Sequence, residues 1–208
     1  MTGHAALVNG EAVAKGRVDA LLESVPARDR ETRPEALARA ERQRRRWATQ
    51  VVVTDELARR ACADRGLKPP AEVSPPQVLA VAETDVADLG SIVAAALAHS
   101  PAARVLLDHL EREQDVPEAA ARDYYERNRD RFLTPDALRR GTDPFGEAAE
   151  ADFLPYEDVR ARIVGELGRA AGRRAFFDWL DRARAGVVYA HGYEHPGDPS
   201  HPDHEHRH

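Results

Sequence analysis

Histidine carries the densest chemistry in this chain. Six of the nine histidines, His191, His195, His201, His204, His206 and His208, fall in the closing stretch HGYEHPGDPSHPDHEHRH. Neutral imidazole ligates zinc, nickel, copper and cobalt, and Glu194, Asp198, Asp203 and Glu205 add oxygen donors. The stretch is therefore read as a candidate site for a divalent transition metal (Zn, Ni, Cu or Co). His204, His206 and His208 alternate, so an extended backbone places them on one side. The string from His204 to His208 also spells the H-E-x-x-H of zinc peptidases, which needs a helix presenting both histidines on one face. Pro196, Pro199 and Pro202 precede it and argue against such a helix, so peptidase chemistry is not expected. Two readings of the tail stay open: metal carriage, or an arm that is solvated or docks on the folded body.

Elsewhere the chemistry is sparse. Asp108-His109 and Glu111 with Glu113 lie on a charged helical stretch without a nucleophile beside them. Cys62 is flanked by arginines, which favour a thiolate, but a small buried side chain is the simpler reading. No G-x-S-x-G elbow, phosphate loop, dinucleotide fingerprint or paired-cysteine zinc pattern occurs. No catalytic and no cofactor-binding residue is expected. Arg39, Arg42, Arg44, Arg45 and Arg46, followed by Trp47, allow a nucleic-acid patch with a stacking ring. Glu35 and Glu41 dilute it and the net charge is −6, so an exposed helix face is favoured and nucleic acid is not an expected partner.

The elements that must position these residues read as mostly helical. Across 208 residues, apolar types make up 42% and charged types 32%, with alanine, leucine, glutamate and arginine dominant, enough for a core clad in charged helix faces. AALVNGEAV predicts a short strand turning at Asn9-Gly10. Val13, Val18, Leu21, Leu22 and Val25 then recur at helical spacing. A long helix is expected from about Pro34, with a fresh start capped by Thr54 ahead of Asp55 and Glu56. Residues 66–77, with four prolines, read as a linker. A helix from Thr84 or Asp85, another from Pro101 and a third from Pro117 follow. The pattern fades from Thr134 to Pro155. The longest apolar face runs from Tyr156 to Ala185 through Val159, Ile163, Leu167, Phe176, Phe177 and Leu180, with VVYA as a short closing strand. Most of Tyr124, Tyr125, Phe132, Phe145, Phe153, Phe176, Phe177 and Trp179 are expected in the core. A single cysteine, the absence of a secretion-signal layout at the start and the lack of a bilayer-length apolar run lead to the expectation of a cytoplasmic protein without membrane partners.

Three segments carry a resemblance. VNGEAVAKGRVDALL resembles the amino-terminal entry of SurA/parvulin-type foldases, RDYYERNRDRFLTPD the approach to their peptidyl-prolyl isomerase domain, and PYEDVRARIVGELGRAAGRRAFFDWLDRARAGVVY the helix that follows it. They occur in the family's order, and the His-rich ending resembles tails of actinobacterial relatives. A parvulin domain takes roughly 90–100 residues. Only residues 137–154 separate the second segment from the third, with neither histidine nor Gly-Gly among them.

The resemblance implies a mainly α, SurA-like helical chaperone module over residues 1–190, with a long C-terminal helix and short terminal strands. Residues 137–154 form a loop where an isomerase domain would be inserted, and residues 191–208 a His/Pro-rich tail. The implied function is non-catalytic: a chaperone or maturation factor binding extended apolar client segments, metal-linked through the six tail histidines. The alternatives are an enzyme with residual prolyl isomerase or metal-dependent activity, and a protein-interaction subunit of a biosynthetic cluster. A homo-oligomer stays open.

Overall fold

The computed structural model describes residues 3–24, 34–70, 86, 90–146 and 148–195. Among them are seven α-helices and one small sheet. No helix of the described residues is long and apolar enough to cross a membrane. Contacts divide the chain into two compact units, one of residues 1–107 and 177–208, the other of residues 108–176.

The first unit begins with a hairpin. Strands β1 (His4–Val8) and β2 (Glu11–Ala14) pair antiparallel, joined by Asn9 and Gly10. Both turn residues take positive φ, 51° and 84°. That is the twist a two-residue hairpin requires, and Asn-Gly supplies it at low cost. Strand β3 (Val187–Tyr189) pairs antiparallel with the other side of β1, Val187 opposite Val8 and Tyr189 opposite Ala6. The sheet order is therefore β2-β1-β3, and residues from both ends of the chain meet on β1.

Helix α1 (Lys15–Ser24) follows the hairpin and buries Val18 and Leu21. The 31-residue α2 (Pro34–Asp64) packs against α1, β1 and α3 (Ser91–His99). Val51, Val52, Val53, Leu57 and Ala61 of α2 are buried in the core of this unit. The expected break at Thr54 does not exist. The Thr54 hydroxyl donates to the Gln50 carbonyl at 2.8 Å, as Thr49 does to Arg45, so each satisfies itself inside the helix rather than capping a new one. Cys62 is buried beside the Ala102 carbonyl, and burial pushes its thiol upward, away from reactivity. Val25, Thr84, Asp85 and residues 71–77 of the expected linker lie outside the described residues.

Helix α4 (Pro101–Arg112) starts at its proline, with the Ser100 hydroxyl accepting from the Ala103 amide at 3.0 Å. The second unit takes the end of α4, then α5 (Glu118–Arg127), α6 (Pro135–Arg140) and most of α7 (Tyr156–Arg184). Its core holds Tyr125, Phe132, Tyr156, Val159 and Ile163, with the Tyr125 ring 5.1 Å from Phe132 and 5.6 Å from Tyr156.

The stretch from Thr134 where the pattern fades, with 137–154 expected as a loop, contains α6. Thr134 caps it, Pro135 opens it, and Gly141 closes it at φ 68°. The excursion is pinned at its base by an antiparallel bridge between Leu133 and Phe153. The Thr134 amide donates to Asp152 at 2.8 Å and the Leu154 amide to Phe132 at 2.7 Å. Leu133, Ala137 and Phe153 form a small core of their own, while Leu138 and Phe145 face solvent at 61% and 78% exposure.

In the second unit, α7 presses on α4 at Gly172. A Cβ added there would stand 2.7 Å from Glu111 Cα, which cannot yield as a side-chain tip can. At Gly168 the nearest atom outside the helix is Val116 Cγ2, an ordinary contact at 3.9 Å. The two glycines should respond oppositely to the same substitution. Gly172→Ala is expected to cost about 1–3 kcal/mol through overpacking. Gly168→Ala is expected to be neutral or to gain up to about 1 kcal/mol from helix propensity. Urea unfolding of the two variants beside the parent chain checks both signs.

Candidate functional site

Three features of the first unit gather polar chemistry: a buried seam along α2, the root of the His-rich tail, and an arginine-lined cleft.

The seam follows from helical periodicity. Arg46, Gln50 and Thr54 recur every four residues, so they share a face of α2. All three are buried, Arg46 at 1% exposure. This corrects the expectation that the whole arginine run is an exposed face. Arg44 reaches the Leu22 carbonyl at 2.6 Å, and Arg45 lies 5.8 Å from the Tyr193 ring centroid, so two more of these arginines make contacts within the unit. The run hid one buried member among exposed neighbours. The signal for it was position, four residues before Gln50 and seven before Val53.

The seam is rich in donors. Tyr189 donates to Gln50 Oε1 at 3.0 Å, and Arg184 to Thr54 Oγ1 at 3.3 Å. Burial pulls the Arg184 pKa down and pushes the Tyr189 pKa up. Arg46 Nε, Nη1 and Nη2, Gln50 Nε2 and Arg184 Nε have no hydrogen-bond acceptor. The carboxylate facing Arg46 belongs to Glu194, 3.5 Å from Nη2.

Glu194 lies at the tail root. After β3 the Ala190 amide donates to the Ala5 carbonyl at 2.9 Å, and a turn through Gly192 at φ 83° brings the chain back. Gly192 donates its amide to both Glu194 oxygens, at 2.8 and 2.9 Å. Tyr193 is buried, with Lys15 Nζ 5.3 Å from its ring centroid and Arg45 on the same ring. The structure thus places two of the tail histidines. His191 is exposed beside the turn and His195 is half-buried just past Glu194. His201, His204, His206 and His208 lie outside the described residues. No group of three or more metal-ligating side chains occurs among the described residues.

A second charged network lies along α2. Arg17 bridges Asp55 at 2.8 Å and Glu56 at 2.7 Å, while Arg59 joins Asp55 at 2.8 Å. Arg60 binds Glu56 at 3.0 Å, Glu11 at 2.8 Å and the Val8 carbonyl at 2.9 Å, tying the helix to the hairpin. Asp55 and Glu56, expected as helix-start acids, are instead the centre of this network. Arg17 and Arg60 hold the Glu56 carboxyl below its ordinary value against the opposing effect of burial. Burial holds His99 below its ordinary 6.5, aided by Arg17, Arg59 and Arg104 and opposed by Asp55.

The cleft has a volume of about 350 Å3 and opens where β1 ends and β3 begins. Arg60, Arg65 and Arg182 line it with the half-buried Trp179, against the single carboxylate of Asp64. Sequence reasoning counted Trp179 among aromatics mostly expected in the core and noted Arg60 and Arg65 only as neighbours of Cys62, because the lining comes from α2, its C-terminal turn and the last turn of α7.

Two outcomes test this description. Glu194→Gln leaves the buried Arg46 without its counter-charge and is expected to cost about 1–3 kcal/mol, read by urea unfolding. Burial disfavours the charged form of His99 in the fold, so its contribution is present above 6.5 and is lost as the pH falls below that value. The melting temperature is expected to drop between about pH 7.5 and pH 5.5, and to drop less in His99→Gln.

No family model matches this chain, and no curated protein or solved structure matches it.

Proposed function

We propose that the chain is a non-catalytic, SurA-like chaperone or maturation factor that binds extended apolar segments of client proteins in the cytoplasm. The observation that carries the reading is the sheet. A hairpin and helix open the chain, and a strand after the last long helix returns to β1, leaving β3 as an edge strand with Val188 at 63% exposure. An edge strand recognises a client by backbone hydrogen bonds and so tolerates varied sequence. What supports the absence of isomerase activity is the excursion between Leu133 and Phe153. It is a closed turn with its own small core, and it has no histidine.

The tail histidines His191, His195, His201, His204, His206 and His208 are the proposed ligands of a divalent ion such as nickel or zinc, held on an arm anchored by Tyr193 and Glu194. Both Glu194 oxygens already accept from Gly192, so imidazole rather than this carboxylate would supply the donors. Comparing the full chain with one ending after His195 keeps the anchor intact. The full chain should take up nickel with at least about tenfold higher affinity by calorimetry.

The client reading is tested by suppression of aggregation of an unfolded reference protein, alongside a proline-peptide isomerisation assay. Suppression at near-stoichiometric amounts with no isomerisation is expected. Isomerisation above the uncatalysed rate would overturn the non-catalytic reading, and absence of suppression would overturn the chaperone reading.

A further inference from the structure

We propose that the cleft between α2 and the end of α7 captures the C-terminal carboxylate of an extended peptide lying along β3. The proposal rests on the client-binding reading and names the ligand feature that the site selects.

Charge comes first. Arg60 is already committed to Glu56, Glu11 and the Val8 carbonyl. Arg65 gives one hydrogen bond to the Ala61 carbonyl at 3.1 Å, and neither Arg65 nor Arg182 has a salt bridge among the described residues. Asp64 is the one acid in the lining. Two guanidinium groups without a carboxylate thus face a concave wall, in a chain whose net charge is −6. Guanidinium pairs with carboxylate through two parallel hydrogen bonds, which gives geometry as well as charge. Trp179 and Leu57 supply the apolar wall that a terminal side chain would need.

Direction decides which end of a peptide arrives there. The cleft includes Gly186, directly before β3, and Asn9, directly after β1. Among the described residues β3 has one strand partner, β1. A peptide adding antiparallel to the free edge runs from the Tyr189 end toward the Val187 end, so its C-terminus reaches the cleft. A parallel peptide would bring its ammonium there, against the guanidinium groups. Strand polarity and charge therefore agree on one occupant, a C-terminal carboxylate. A free oxyanion such as phosphate shares part of that chemistry but makes no use of the strand.

The test is fluorescence polarisation with an N-terminally labelled octapeptide alternating valine and threonine and ending in leucine. The free-acid peptide should bind, and its C-terminal amide should bind at least about tenfold more weakly. Arg182→Gln and Arg65→Gln, each checked for an unchanged circular dichroism spectrum, should each weaken the free acid severalfold and leave the amide unchanged. Methylating alternate backbone nitrogens of the peptide should abolish binding. Equal affinity for acid and amide would overturn the carboxylate site while leaving client binding intact. Displacement by inorganic phosphate alone at the peptide's own affinity, with N-methylation having no effect, would reduce the cleft to a simple anion site and overturn the peptide. If no peptide binds, the proposal fails, and the aggregation assay decides separately whether the broader client reading survives.

Discussion

A guanidinium buried to 1% exposure on a helix face that also carries Gln50 and Thr54 constrains the whole first unit. Taking such a charge out of water costs several kcal/mol, and only partners from elsewhere can offset it. They come from far along the chain: Glu194 for Arg46, Tyr189 for Gln50 and Arg184 for Thr54. Two of the three, Tyr189 and Glu194, lie on β3 or just after it. Neighbouring valines supply the burial energy, and the polar seam specifies what must stand opposite them. A purely apolar α2 would pack against many surfaces; this one asks for the strand and turn that follow α7.

The same helix is graded along its length. Its first half receives the tail root at Arg45 and Arg46, its middle carries the seam and the Arg17–Asp55–Glu56 network, and its end opens onto the cleft through Arg60 and Asp64. Carboxylates concentrate in the middle, where Asp55 and Glu56 consume three arginines between them. Past that point the acids thin out. Arg65 and Arg182 have no carboxylate partner among the described residues, the acids Asp55 and Glu56 being engaged more than two turns before Arg65.

Legibility in the sequence followed the range of the interactions. The Asn9-Gly10 turn was readable because its backbone requirement is met by two adjacent residues, whereas Val13, read with the following helix, belongs to β2. The course of α7 was readable because its apolar spacing persists over eight turns. Thr54 misled because a hydroxyl followed by two acids looks like a helix start, and only the remote partners Arg17 and Arg184 show that the acids and the hydroxyl serve other ends. Arg46 was hidden by its own kind, since a run of arginines reads as solvated unless each is placed on the helical wheel. The α6 turn was lost because a six-residue helix leaves too little periodicity to see, although Thr134, Pro135 and Gly141 are its cap, start and stop. The cleft was beyond reach: Arg182 lies more than 110 positions from Arg60 and Arg65, so only the folded chain brings them together.

The size of β3 explains why an edge strand alone would make a poor client site. Three residues offer only a few outward backbone groups, each worth about 0.5–1.5 kcal/mol net, against the ordering of the bound segment. Pairing of that kind supplies tolerance, not affinity. A usable site needs a second contact that is strong, directional and independent of client sequence. A terminal carboxylate has all three properties, since every chain carries one and its charge sits at a fixed point relative to the last peptide bond. In the proposed site, arginines at the mouth of β3 would let a short edge act as a longer one, with the apolar wall of Trp179 discriminating by the final side chain. In such a division of labour the sheet aligns, the guanidinium groups fix the register, and no chemistry on the peptide bond is required.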